Sequence, residues 1–283
     1  MNDKLFIKLQ HLVPQHALSR FIARIANCHN GLIKNTFINW FIKRYQVDMS
    51  LAAEENPRAY ACFNDFFTRA LKPGIRPICG EPNAIVCPAD GSISQRGKIM
   101  NGRIFQAKGQ DYSVAELLGG DAALAQEFAH GDFATVYLSP KDYHRVHMPY
   151  GGKLRSMVAI PGDLFSVNTV TAENVPRLFS RNERVAAIFD TDIGPMAVVL
   201  VGAMIVAGIE TIWDGQLAPM GSRETQTSFY PYQNIVLEKG AEMGRFKLGS
   251  TAIILFAKNK INWETQFVAN ATTRVGVKLA NKQ

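Results

Sequence analysis

Apolar positions in the first 44 residues recur at helical spacing: Phe21, Ile22 and Ile25, then Phe37, Ile38, Phe41 and Ile42. Arg20, Arg24, Lys34, Lys43 and Arg44 fall between them. This period predicts two or three amphipathic helices, broken near Pro14 and around residues 27–31. A further helix is predicted over residues 62–70, before Pro73 and Pro77 end regular structure. From Ala84 onward the period changes. Short Val/Ile-rich runs punctuated by Gly and Pro predict strands at 85–86, 91–93, 103–106, 135–138, 153–160, 186–190, 196–206, 235–237 and 251–257. Only 114–118 with 121–129, and 174–181, keep a helical pattern here. The expected class is α+β, a β-rich catalytic body (71–283) preceded by a helical, basic membrane-association region (1–70). Residues 218–232 read as an irregular, mobile connection.

Composition adds little to that picture, and charge adds more. With 283 residues, 47% hydrophobic and 19% charged, the chain reads as globular. Its net charge of +7 is concentrated at one end. Lys4, Lys8, Arg20, Arg24, Lys34, Lys43 and Arg44 face only Asp3 and Asp48 within the first fifty residues. Cations on one face and aromatics on the other suit an anionic lipid surface, at about 1 kcal/mol per nearby cation. Helices packed on their own domain with a solvated basic face would show the same pattern. Because the cations alternate with large aliphatics, no nucleic-acid partner is expected. The uncharged run from Ile193 to Ile209 reaches only the lower edge of a bilayer-spanning length, about 17 residues. Its valines, Pro195 and Gly202 favour two buried strands with a bend. Cys28, Cys62, Cys79 and Cys87 have no zinc-finger or CxxC spacing. The scattered thiols suggest a reducing compartment.

Three stretches carry candidate chemistry. In Leu248-Gly249-Ser250-Thr251 a hydroxyl follows a glycine and precedes an apolar run. A glycine bend before a buried strand would look the same, yet Gly249 also leaves its carbonyl open to close approach by the Ser250 hydroxyl. His144 and His147 form an HxxH pair whose flanking Pro140 and Pro149 argue for a loop. No third ligand at a recognisable spacing supports a metal site there. Asp90, in Cys87-Pro88-Ala89-Asp90-Gly91, is ordinary turn chemistry on its own. Joined to a histidine and Ser250 it completes an acid–base–nucleophile set. The Gly-x-Ser-x-Gly elbow of common hydrolases is absent around Ser250. A serine hydrolase acting on phospholipid esters and a non-enzymatic peripheral membrane scaffold both remain compatible with these residues.

Read together, these stretches resemble the bacterial phosphatidylserine decarboxylase proenzyme family, which is membrane-associated and pyruvoyl-dependent. The resemblance rests on Met243-Gly244-Arg245-Phe246-Lys247-Leu248-Gly249-Ser250-Thr251, on Pro88-Ala89-Asp90-Gly91, and on Tyr137-Leu138-Ser139-Pro140 through Met148-Pro149. It continues through Pro161-Gly162-Asp163-Leu164-Phe165-Ser166-Val167-Asn168 and Phe179-Ser180-Arg181-Asn182-Glu183-Arg184. Phe63-Asn64-Asp65-Phe66-Phe67 and Gln106-Ala107-Lys108-Gly109 also fit.

The resemblance implies self-cleavage between Gly249 and Ser250, with Asp90, His147 and Ser250 as the triad. Asp90 would orient His147, and His147 would deprotonate Ser250. The products would be a β chain, 1–249, and an α chain, 250–283, whose first residue becomes a covalent pyruvoyl group. That group would form a Schiff base with phosphatidylserine, and His144 would supply the proton and orient the substrate carboxylate. No metal is implied. The implied location is the cytoplasmic face of the cell membrane, peripherally bound through the N-terminal helices. The resemblance leaves room for a homodimer of the αβ unit.

Overall fold

The strand Ser250–Phe256 lies in the interior of the largest sheet, and its burial explains the apolar run that marks it in the sequence. In the computed structural model, which describes residues 3–204, 208–247 and 250–283, every side chain of this strand is buried. It pairs antiparallel with Asp132–Leu138 on one side and Gly194–Val201 on the other. Alternation sends Ala252, Ile254 and Phe256 into one apolar core, and Ile253 and Leu255 into another. A strand covered on both faces has no polar side, so it reads as a continuous hydrophobic run.

The sheet has nine strands among the described residues, all paired antiparallel. From one edge the order is Gln226–Phe229, Gly152–Ile160, Arg184–Thr191, Gly194–Val201, Ser250–Phe256, Asp132–Leu138, Gly91–Lys98 and Thr272–Thr273, with Val236–Leu237 also on Gly152–Ile160. A four-stranded sheet, Gly215–Gln216, Gly208–Thr211, Glu242–Lys247 and Arg145–His147, contributes Ile209, Phe246 and Val146 to the first core. Short helices, among them Val114–Leu117 and Leu178–Arg181, contribute to the second. Val114–Leu117 begins at a capping box in which Ser113 and Glu116 satisfy each other's backbone N–H.

Three helices precede this body: α1 (Asp3–Leu12), α2 (Gln15–Ala26) and α3 (Gly31–Tyr45). Pro14 precedes α2, and Asn30 caps α3 by accepting from Leu32 and Ile33. A third apolar cluster joins Ala26, Ile38 and Phe41 to Phe63, Phe66 and Phe67. The first helices are tied to the body by polar contacts. Gln10 accepts from Ser166 N at 2.8 Å, Gln15 accepts from Leu164 N at 2.7 Å, and the His16 ring meets Gly162 O at 3.0 Å. No helix of the described residues is long and apolar enough to cross a membrane.

The β-rich body behind N-terminal helices follows the sequence reading; several details differ. Residues 144–147 do not form a prolyl loop throughout, because Arg145–His147 is extended and pairs with Glu242–Lys247. The expected helix over 174–181 is two short ones, Thr169–Asn174 and Leu178–Arg181. The connection 218–232 is not wholly irregular, since Gln226–Phe229 adds an edge strand. The predicted strand over 196–206 ends at Val201, and residues 205–206 lie outside the described residues.

Candidate active site

Three stretches far apart in sequence meet at one end of the large sheet. Ser250 is in register with Leu138, and Thr251 with Tyr137. On the other side of that strand Ser92 pairs with Tyr137, which brings the Asp90–Gly91 turn alongside. Gly91 is required there, because a Cβ would lie 2.1 Å from Tyr137 O. The chain leaves the sheet after Leu138, turns through Ser139–Tyr143 and returns as His144. There the His144 carbonyl accepts from Phe246 N at 2.9 Å. Phe246 begins the approach to Ser250 from the other direction. Gly249, the expected cleavage partner, lies outside the described residues.

Ser250 is fully buried, and its Oγ has no hydrogen-bond partner among the described residues. A buried hydroxyl left unpaired costs about 1–3 kcal/mol, so such groups mark functional positions more often than structural ones.

His144 is also fully buried, against Phe67 at a centroid distance of 4.1 Å. Its Nδ1 is 2.8 Å from Asp142 O. A carbonyl can only accept, so Nδ1 carries the proton and Nε2 presents a lone pair. That Nε2 has no partner among the described residues. Burial pushes the His144 pKa down to about 3, with a smaller push from Arg69 in the same direction. The ring is therefore neutral and basic at Nε2.

His147 faces the other way. In extended backbone residues three apart point to opposite faces, whereas Tyr143 and His147 share one. The His147 Nδ1–H donates to Gly240 O at 2.8 Å, and the Tyr143 hydroxyl lies 3.1 Å from Nε2. Burial lowers the His147 pKa, while the Gly240 carbonyl and the charges of Glu242 and Asp90 oppose that shift. Burial raises the Tyr143 hydroxyl to about 12, so it stays protonated and can donate to His147.

Asp90 belongs to a different pair. Its carboxylate accepts from Arg76 Nε at 2.9 Å on both oxygens, from Arg76 Nη2, and from Val275 N at 2.9 Å. The expected direct contact from Asp90 to His147 is thus replaced by Arg76 on Asp90 and by Gly240 on His147. The two remain neighbours, since His147 N donates to Pro88 O at 2.8 Å. Ser250 Oγ likewise has no hydrogen bond to His147.

Sequence reasoning missed Arg76, Tyr143 and Phe67. Tyr143 lay inside the HxxH stretch, and the two-residue period of a strand would have found it. Arg76 sits in an irregular prolyl stretch that offers no periodic signal.

A buried serine, two largely buried histidines and an arginine-held carboxylate thus lie on adjoining segments at one end of the sheet. The chain belongs to the phosphatidylserine decarboxylase family, whose model matches residues 63–281; a second model, described as PSD, matches residues 5–46. Proteins called phosphatidylserine decarboxylase proenzyme are similar along the whole chain. That of Pseudomonas entomophila (strain L48) is 59% identical, covering 99% of this chain and 98% of its own. Those of Ectopseudomonas mendocina (strain ymp) and Pseudomonas fluorescens (strain SBW25) are 58% and 60% identical, covering 100% and 99% of both partners.

Proposed function

We propose that this chain decarboxylates phosphatidylserine to phosphatidylethanolamine, using a pyruvoyl group that it makes from Ser250 by cutting itself between Gly249 and Ser250. The observation that carries the reading is the enclosed Ser250 Oγ, unpaired among the described residues. It lies on a strand whose neighbour runs into the His144–His147 stretch and pairs in turn with the strand that follows Asp90. Ser250 is fully buried in the uncut chain, which suits a first reaction at the adjoining backbone. An attack on the adjoining backbone needs no access from outside. Holding nucleophile and target together is worth several kcal/mol, up to about 7–11 in favourable cases. The relatives are called proenzymes, which fits a chain that matures by processing.

In the maturation step an imidazole takes the Ser250 hydroxyl proton as Oγ adds to the Gly249 carbonyl carbon. The peptide C–N bond then breaks, leaving an ester. Elimination across Cα–Cβ releases the carboxylate of residue 249, and hydrolysis with loss of ammonia leaves a ketone at residue 250. His147 is our candidate base; burial lowers its pKa, and the charges of Glu242 and Asp90 offset part of that loss. The Tyr143 hydroxyl must first yield Nε2.

The ketone, when formed, supplies the electron sink for the pair left as carbon dioxide departs. His144 then works from Nε2. With Nδ1–H committed to Asp142 O, the neutral ring accepts a proton before it can give one. Its Nε2 is our candidate for relaying a proton to the former α-carbon. If His144 also orients the substrate carboxylate, it does so as a neutral ring, because burial lowers its pKa.

The helices α1–α3 would seat the protein peripherally on the anionic cytoplasmic face of the cell membrane. An open apolar groove of about 630 Å³, lined by residues including Ile25, Leu32, Ile33 and Trp40, supports that seating. Leu32 is 83% exposed and Trp40 52%. Intact mass of purified protein, with and without Ser250→Ala, tests the central claim. Two fragments breaking at Gly249/Ser250, the smaller one reducible by borohydride, are expected for the parent and a single chain for the variant. A parent that stays whole after prolonged incubation would overturn it.

A further inference from the structure

Arg69 is 4% exposed, yet it forms no ion pair among the described residues. Nη2 donates to Lys141 O at 3.0 Å, and the guanidinium lies over the Phe66 ring at 5.4 Å. Nε and Nη1 have no partner among the described residues. A buried guanidinium cannot shed its proton to escape the cost of burial, so its open donors call for an anion.

The pocket beside it has room for one. About 310 Å³ in volume, it is lined by Arg69, Lys141 and Arg274, together with Arg76 and the acids Asp48, Asp90 and Asp142. The acids are already engaged. Asp90 takes Arg76 and Val275 N. Asp142 accepts from Ser139 N and Oγ at 2.7 Å each. Asp48 accepts from Ser50 N at 3.0 Å and Ser50 Oγ at 2.6 Å. Lys141 and Arg274 are exposed and form no ion pair among the described residues. Three cations without an ion pair among the described residues, on three different segments, therefore face one small pocket, opposed there by the hydrogen-bonded but charge-unpaired Asp48 and Asp142.

We propose that Arg69, Lys141 and Arg274 form a receptor for a tetrahedral oxyanion of the phosphate class. A guanidinium fork beside a lysine point charge suits phosphate oxygens. A carboxylate destined to leave as carbon dioxide suits this pocket poorly, because three cations would stabilise it before reaction more than during it. The position is close to the chemistry. Phe67, two residues before Arg69, stacks on His144, and Lys141 precedes the Asp142 carbonyl that holds His144. Two sources offer this chemistry: the phosphodiester of a phospholipid headgroup, and free inorganic phosphate. The lipid source rests on the activity proposed above, whereas phosphate binding does not.

The probe is inorganic phosphate, titrated calorimetrically into the purified full chain at ionic strength fixed with chloride. Saturable binding is expected, about tenfold or more weaker in Arg69→Gln. In Lys141→Ala/Arg274→Ala it should weaken by about threefold or more. The double variant changes only exposed side chains, so it decides the matter if Arg69→Gln fails to fold. Absence of saturable binding beyond chloride, or undiminished binding in the double variant, overturns the receptor. A second arm measures decarboxylation of phosphatidylserine vesicles with and without phosphate. A rise in KM at constant kcat supports the receptor with the lipid phosphodiester as occupant. Saturable binding without inhibition supports it with free phosphate as occupant. A parent that decarboxylates no lipid sinks the proposed activity and leaves the calorimetric result to judge the receptor.

Discussion

Arg76 holds both carboxylate oxygens of Asp90, and a backbone N–H from Val275 completes the grip. The pair is largely buried, with side-chain exposures of 13% and 7%. Removing one member leaves the other as an uncompensated charge, which costs about 3–5 kcal/mol at buried sites. Because this pair is not fully enclosed, Arg76→Met is expected to lose about 3 kcal/mol in denaturant unfolding. Asp90→Asn/Arg76→Met should recover part of that loss. Equal stability of Arg76→Met and the parent would show that the pair carries no net weight.

The two histidines should separate the two stages. His147→Ala and Asp90→Ala are expected to leave mostly uncut chain on a denaturing gel. His144→Ala should still be cut yet turn over phosphatidylserine at least about a hundredfold more slowly, the scale of a lost acid–base group. Full cutting in His147→Ala, or normal turnover in His144→Ala, would remove the assigned role.

His144 also sets a pH dependence of stability. Unfolded, an imidazole takes a proton near pH 6.5. Folded, His144 takes it only near pH 3. Between those values the unfolded chain holds more protons, so stability falls as pH falls, by at most about 1.4 kcal/mol per pH unit for this group. His144→Asn keeps a donor for the Asp142 carbonyl but does not titrate. Its unfolding free energy should fall less steeply from pH 6.5 to pH 4. The lowered pKa of His147 leaves a residual slope of the same sign.

Gly91→Ala should damage the site through backbone alone. The added methyl would meet the Tyr137 carbonyl oxygen on the strand next to Ser250. About 3 kcal/mol of destabilisation is expected. Gly102→Ala, where φ is +72° and no atom lies within 4 Å, should cost only about 1–2 kcal/mol. Thermal unfolding of the two variants side by side checks the contrast.

Membrane seating is better probed by point changes than by deleting residues 1–44, because Ala26, Ile38 and Phe41 pack against Phe63–Phe67. Leu32→Glu and Trp40→Glu alter exposed positions. Each withdraws apolar surface worth about 1.5–3 kcal/mol when buried. Co-sedimentation with anionic vesicles should weaken by about tenfold or more. Unchanged sedimentation would count against these helices as the lipid-facing surface.

Much of this architecture was legible in the chain. The switch from a helical to a strand period near Ala84 reflects the passage from α3 and Phe63–Phe67 into the sheets. Ile253-Ile254-Leu255-Phe256 announces a strand covered on both faces. Proline flanks misled at 144–147, where pairing with Glu242–Lys247 overrides local preference. The site residues were visible as types, but their partners were not. Nothing local in Asp90 says that Arg76 will take its carboxylate, and nothing in His147 says that Gly240 O will fix its tautomer. Such contacts are set by topology, which brings together residues up to 185 positions apart.

The interior position of Ser250–Phe256 has a consequence for the molecule that the proposed cleavage would leave. A backbone nick just before this strand frees no tail, since ladders on both flanks clamp the new chain end. The short fragment could depart only by unravelling the sheet at its centre. Once denatured, the two pieces would have to find each other as separate molecules, so a matured enzyme unfolded in dilute solution would recover far less readily than its uncut precursor.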